Sequence, residues 1–152
     1  MVLAWLVAGV SMAFAGEDFG IGRAASPSEV AGWDIDIAPD GTGLPPGRGS
    51  VREGEMIFAQ KCASCHGVHG EVKPMDRLSG GSGTIGTATP VKTVGSYWPF
   101  ATTLFDFVRR AMPFDAPQSL SPSEVYAVSA YVLFLNQLVP MTRFSTPSRF
   151  PG

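Results

Sequence analysis

Cys62-Ala63-Ser64-Cys65-His66 concentrates the reactive side chains of this sequence in five residues. Two thiols three positions apart, followed at once by an imidazole, suit the covalent attachment of a c-type haem. The thiols add to the two vinyl groups along one porphyrin edge, and the adjacent imidazole can then ligate the iron. Two other uses of the same residues fit less well. A redox-active Cys-x-x-Cys disulfide expects a βαβ setting, and the chain shows no alternation of strands and helices. A zinc site takes about four ligands. Cys62, Cys65, His66 and His69 all fall within eight residues at a helix end, where a tetrahedron is hard to build. One covalently bound haem c is therefore expected, attached at Cys62 and Cys65, with His66 as an axial ligand.

A second axial ligand has to come from elsewhere in the chain. Met56 precedes the motif on the same helix, and His69 and Met75 follow it too closely to wrap round a porphyrin. Met112 stands in Arg110-Ala111-Met112-Pro113. Pro113 disfavours α conformation at the residue before it, so Met112 should leave its helix where a thioether can be aimed at iron. Met141 and a position left open or otherwise ligated remain the alternatives. A thioether opposite an imidazole raises the potential and blocks small molecules, which points to electron transfer rather than catalysis. His66 should donate its other ring N–H to a backbone carbonyl, with Pro74 as the candidate. Tyr97 and Trp98 could reach a haem propionate or serve as core aromatics. Arg109 and Arg110 could pair with propionates or sit solvated at a helix end, where cations suit the dipole.

Three capping boxes mark the elements that must position these residues. Ser26-Pro27-Ser28-Glu29 opens a short helix stopped by Gly32, and Ser50-Val51-Arg52-Glu53 opens one running to Cys62 with Ile57 and Phe58 inward. Ser121-Pro122-Ser123-Glu124 opens a third, apolar on most sides through Leu138 and stopped by Pro140. Residues 103–111 have apolar positions at 104, 107, 108 and 111, a helical spacing. Trp33-Asp34-Ile35-Asp36-Ile37 alternates and reads as a short strand. Residues 67–95 read as loops. An all-α domain with long loops follows.

The chain has 152 residues, 18 of them glycine and 13 proline, and a net charge of −2. That length suits one domain. Without a basic stripe, nucleic-acid binding is excluded as an expectation. Residues 2–15 are apolar, yet a bilayer span needs about 20 such residues. Ala13-Phe14-Ala15 has the form of a cleavage site, so residues 1–15 are expected to be a signal peptide for export to the periplasm, with no stable membrane insertion. Residues 16–49 form an irregular N-terminal extension packed across the domain, 50–140 the domain itself, and 141–152 a loose tail.

Several stretches carry a family likeness. They are Gly-Trp-Asp-Ile-Asp (32–36), Pro-Asp-Gly-Thr-Gly-Leu-Pro (39–45) and Cys-Ala-Ser-Cys-His-Gly (62–67), then Pro-Val-Lys-Thr-Val-Gly-Ser-Tyr-Trp-Pro-Phe (90–100). The likeness continues through Thr-Leu-Phe-Asp-Phe-Val-Arg-Arg-Ala-Met-Pro-Phe (103–114) and Glu-Val-Tyr-Ala-Val-Ser-Ala-Tyr-Val-Leu-Phe-Leu-Asn (124–136). With these the chain resembles class I cytochromes c. It is similar in particular to the cytochrome domain of the SoxD subunit of sulfane dehydrogenase, and to single-haem cytochromes served by molybdenum sulfite dehydrogenases. The resemblance implies a class I cytochrome c fold, Cys62 and Cys65 as thioether positions, and His66 and Met112 as the axial pair. It also implies an electron carrier rather than an enzyme. The donor would be a molybdenum sulfite dehydrogenase and the acceptor another cytochrome or an oxidase. SoxD-type chains usually carry a second haem motif, absent here, and the stretch after Pro140 departs from the family ending. A separate carrier fits better than a subunit of a permanent sulfur-oxidation complex. A peroxidase or haem sensor would require a labile sixth ligand.

Overall fold

The computed structural model describes residues 20–71 and 75–149. The apolar run 2–15 and Pro74 lie outside the described residues. The order of elements is α1 (Pro27–Trp33), β1 (Gly49–Ser50), α2 (Val51–Lys61), α3 (Ala63–His66), α4 (Ala101–Ala111), α5 (Pro122–Leu135) and β2 (Phe144–Ser145), then a 3₁₀ turn, Pro147–Arg149. All three capping boxes form as their sequences require. The hydroxyls of Ser26, Ser50 and Ser121 accept from the third helical N–H, and each glutamate accepts from its cap N–H in return.

The core is built on α5. Nine consecutive residues, Val125–Leu133, are buried there, Ser129 among them. Helices α2 and α4 both pack on α5, bringing Val51 and Phe58 from one and Leu104, Phe105 and Val108 from the other. Rings lock the contacts: Phe58 lies 5.2 Å from Tyr131, and Phe105 lies 4.5 Å from Tyr126. Helix α2 sits close on α5 because Gly54 faces it; a Cβ there would run into the Ala127 carbonyl. Gly49 meets the Ala127 amide in the same way.

Five expectations need correction. Residues 33–37 form no strand: Trp33 ends α1, and 34–37 have no regular structure. Ile35 and Ile37 keep the inward alternation, but the backbone pairs with a side chain of α4 instead of a neighbouring strand. On α4, Phe105 rather than Phe107 faces the core, because α5 presents Tyr126 to it, 4.5 Å between ring centres; Phe107 meets Trp98 and is 45% exposed. Gly32 does not stop α1, which runs one residue further to an exposed Trp33. Helix α5 ends at Leu135, so Leu138 lies beyond it and is exposed. In the C-terminal stretch 141–152, the described residues 141–149 are not a loose tail. Phe144–Ser145 pairs antiparallel with Gly49–Ser50, in register Gly49↔Ser145, and Ser145 is fully buried.

Of the N-terminal extension, the stretch from Ile35 to Pro45 lies against the helices. Ile37 and Leu44 pack against the core. The Tyr126 hydroxyl donates to the Pro45 carbonyl at 2.9 Å and Thr102 to the Pro39 carbonyl at 3.3 Å. Among the described residues no helix is long and apolar enough to cross a membrane.

Two outcomes are expected. Gly→Ala in an exposed helix interior stabilises by about 1 kcal/mol. Gly54→Ala should instead destabilise by about 1–3 kcal/mol through overpacking against α5, measurable by denaturant titration. The carboxyls of Glu53 and Glu124 are held below their ordinary value near 4.5 by the Ser50 and Ser121 hydrogen bonds. Glu29 is held at about 2, chiefly by Arg23 and also by Ser26. A lowered folded pKa makes a contribution that is present above the unfolded value and lost as pH falls through the folded one. Stability should therefore fall as pH drops below about 4.5, and Ser50→Ala with Ser121→Ala should flatten that dependence.

Candidate haem-binding site

The Cys-x-x-Cys-His segment is built by the break between α2 and α3. Helix α2 closes with the Cys62 N–H on the Phe58 carbonyl at 2.9 Å. The chain then starts a single new turn, in which Cys65 and His66 both donate to the Cys62 carbonyl, at 3.1 and 3.0 Å. Gly67, at φ +76°, ends the turn. Residues three apart on one turn share a face, so Cys62 and Cys65 are presented together. Both are free thiols, half-buried. Burial pushes the Cys62 thiol up to about 11, with Cys65 adding to the effect and Lys61 opposing it. That is the reverse of the depressed thiol that disulfide exchange uses.

His66 is oriented by its backbone surroundings. Its Nδ1 lies 3.0 Å from the Asp76 carbonyl oxygen. A carbonyl only accepts, so the proton sits on Nδ1 and Nε2 keeps its lone pair. Among the described residues the acceptor is thus Asp76; Pro74 lies outside them. The cause is the path of the following loop: the Met75 N–H returns to the Cys65 carbonyl at 3.3 Å, and the Leu78 N–H reaches the Gly70 carbonyl at 2.7 Å. Asn136, just past α5, holds the same loop by donating to the Leu78 carbonyl at 2.9 Å and accepting from the Gly80 N–H at 3.1 Å.

Met112 behaves as its sequence position predicts. Helix α4 stops at Ala111, and Met112 has extended backbone, φ −120° and ψ 147°. It is half-buried and packs on the same core that Cys62, Ala63, Leu78 and Trp98 flank; Met141 flanks it too. Trp98 stands edge-on to Phe107, centroids 5.7 Å apart. Tyr97 is exposed, with the Lys92 ammonium 4.8 Å from its ring centre. Arg109 donates to the Ile35 carbonyl at 3.3 Å. Arg110 pairs with Asp106 and Asp36, each at 2.8 Å. Both arginines thereby fasten the N-terminal extension to α4. Reasoning from sequence misses Asp76 and Asn136. Asn136 has a faint signal, as the first polar residue after an apolar helix; Asp76 has none.

These residues fit haem c. Two free thiols share a face, the adjacent imidazole keeps an unbonded Nε2, and a half-buried thioether flanks the same core. The intervening chain carries Val68, Ile85, Tyr97, Phe100 and Phe107 exposed, apolar surface suited to a flat apolar group. Among the described residues no three His, Cys, Asp or Glu side chains are grouped to hold a metal ion by themselves.

The cytochrome family described as "Cytochrome C oxidase, cbb3-type, subunit III" matches residues 49–132. The chain belongs to this cytochrome c family. The match runs from β1 into α5 and so contains both the Cys-x-x-Cys-His turn and Met112. Among solved structures, a chain of the sulfane dehydrogenase SoxCD from Paracoccus pantotrophus is 44% identical, with a TM-score of 0.79; the alignment covers 88% of this chain and 66% of that one. The chain therefore spans just under two thirds of that protein's length. No curated protein matches. The mostly helical fold, with little strand, is that of a class I cytochrome c, as the sequence resemblance implied, and the family is one of electron-transfer proteins.

Proposed function

We propose that this cytochrome carries one haem c, attached through Cys62 and Cys65 and ligated by His66 and Met112, and passes single electrons in the periplasm. The observation that carries the reading is the turn at residues 62–66. It presents two free thiols together and ties His66 Nδ1 to Asp76, leaving Nε2 free. Bound there, haem supplies a one-electron Fe(II)/Fe(III) couple. The hydrogen bond from Nδ1–H to the Asp76 carbonyl fixes the ring and strengthens Nε2 as a donor. As a ligand of that haem, the Met112 thioether would favour the reduced state and raise the potential. It would also keep small molecules from the metal, which separates this reading from a peroxidase or a sensor.

The electron donor in this reading is a dehydrogenase that oxidises sulfite or another reduced sulfur compound, in line with the likeness to a chain of SoxCD. The acceptor is a further cytochrome or an oxidase. Val68 and Phe114, 64% and 76% exposed, would lie on the rim of a small contact, below about 1,200 Å². Export follows from residues 1–15 acting as a cleaved signal, with 16–49 as an extension of the domain at 50–140 and 141–152 as its tail. The same likeness supports a second reading, in which the chain is a permanent subunit of a sulfur-oxidising complex. Purification from its source distinguishes them: a carrier separates from the dehydrogenase on gel filtration, and a subunit does not.

Expressed with a haem-ligation apparatus, the protein should be coloured, and its pyridine haemochrome spectrum should show two thioether bonds. Cys62→Ser should shift that spectrum to the single-thioether form. The oxidised protein should show the weak red band of a thioether–iron bond, lost in Met112→Ala and kept in Met141→Ala. An unchanged Met112→Ala spectrum refutes the ligand assignment. Mixed with a purified molybdenum sulfite dehydrogenase and sulfite, the oxidised protein should be reduced; no reduction counts against the donor.

A further inference from the structure

We infer that Asn136 is a positioning residue for the haem ligand His66, acting through the loop that carries Asp76. The inference rests on the haem reading above and extends it to a residue distant in sequence from the motif. Asn136 follows the last residue of α5, and its amide is satisfied on three sides. Nδ2 donates to the Val132 carbonyl at 2.9 Å within its own helix and to the Leu78 carbonyl at 2.9 Å across the loop. Oδ1 accepts from the Gly80 N–H at 3.1 Å. A carbonyl can only accept and an N–H can only donate, so these partners allow one orientation of the amide.

The loop it grips is short and held at both ends. Asp76, whose carbonyl takes the His66 Nδ1–H, lies two residues before Leu78. On the other side, the Leu78 and Ser79 N–H groups donate to the Gly70 carbonyl at 2.7 and 3.1 Å, and Ser79 Oγ donates to the His69 carbonyl at 2.7 Å. Asn136 hydrogen-bonds this loop to the end of α5, the most buried helix among the described residues. It reaches the next loop as well. Thr93 Oγ1 donates to the Gly80 carbonyl at 2.6 Å, and a Cβ on Gly95 would strike the Asn136 amide. One side chain thus fixes the backbone behind the imidazole to the rigid centre of the molecule.

Loosening that grip lets the Asp76 carbonyl move away from Nδ1. The imidazole then loses basicity, stabilises the oxidised metal less, and the midpoint potential rises. Asn136→Ala removes all three bonds. Gly95→Ala pushes the amide aside without removing it, so it serves where Asn136→Ala folds poorly. Neither changes charge. Tyr126→Phe, which removes the hydroxyl that donates to Pro45 and leaves Asn136 and its loop untouched, is the control for general destabilisation. The readouts on the haem-loaded protein are midpoint potential and the resonance of the His66 Nδ1–H in the reduced state. Expected are a positive shift in potential and a moved Nδ1–H signal in Asn136→Ala and Gly95→Ala, with both unchanged in Tyr126→Phe. Asn136→Ala or Gly95→Ala protein that is haem-replete and less stable but keeps wild-type potential and signal overturns the positioning role alone. A wild-type protein without haem absorption overturns the underlying reading, and this role with it.

Discussion

The close approach of α2 to α5 is the constraint on which the rest depends. It exists because Gly49 and Gly54 have no side chains where the backbone of Ala127 passes. Two helices that near one another bury Val51, Phe58, Val125 and Tyr131 together and fix the direction in which α2 ends. Its end is Cys62. The Cys-x-x-Cys-His turn is therefore aimed by a contact two turns earlier along the same helix.

From α5 the other half of the site is set in the same way. Helix α4 packs on α5 through Leu104, Phe105 and Val108, and its last residue hands over to Met112. The N-terminal extension braces α4 from outside through Arg109 and Arg110, and it is tied to α5 by Tyr126. The C-terminal strand closes against β1, immediately before α2. The segments before α2 and after α5 thus both serve the helices that carry the Cys-x-x-Cys-His turn and Met112. Small domains with much irregular backbone need such ties, since little regular structure is available to hold long loops.

Signals that act over three or four residues are legible in the amino-acid order. The three capping boxes form as written, because a Ser hydroxyl and a Glu three residues later meet in any helix that starts there. The break after Ala111 follows from Pro113, whose ring restricts Met112 directly. Signals that depend on a partner mislead. The alternation at 33–37 has a strand's pattern, but the segment lies against arginines rather than another strand. Helical spacing alone puts Phe107 on the inner face of α4. Phe105 and Phe107 are equally apolar, and only the neighbouring Tyr126 and Trp98 distinguish them. The two-residue strand at Phe144–Ser145 is too short to carry any period.

The sequence by itself determined the helix starts, the adjacent thiols and imidazole, and the extended backbone at Met112, because each is settled by atoms within one turn of chain. Only the tertiary structure decided which carbonyl orients His66, what Asn136 grips, and which groups Arg109 and Arg110 meet. Every peptide unit offers a carbonyl and nearly every one an N–H. Residue type cannot say which of them meets a given donor; that is chosen by where packing on α5 leaves the loops.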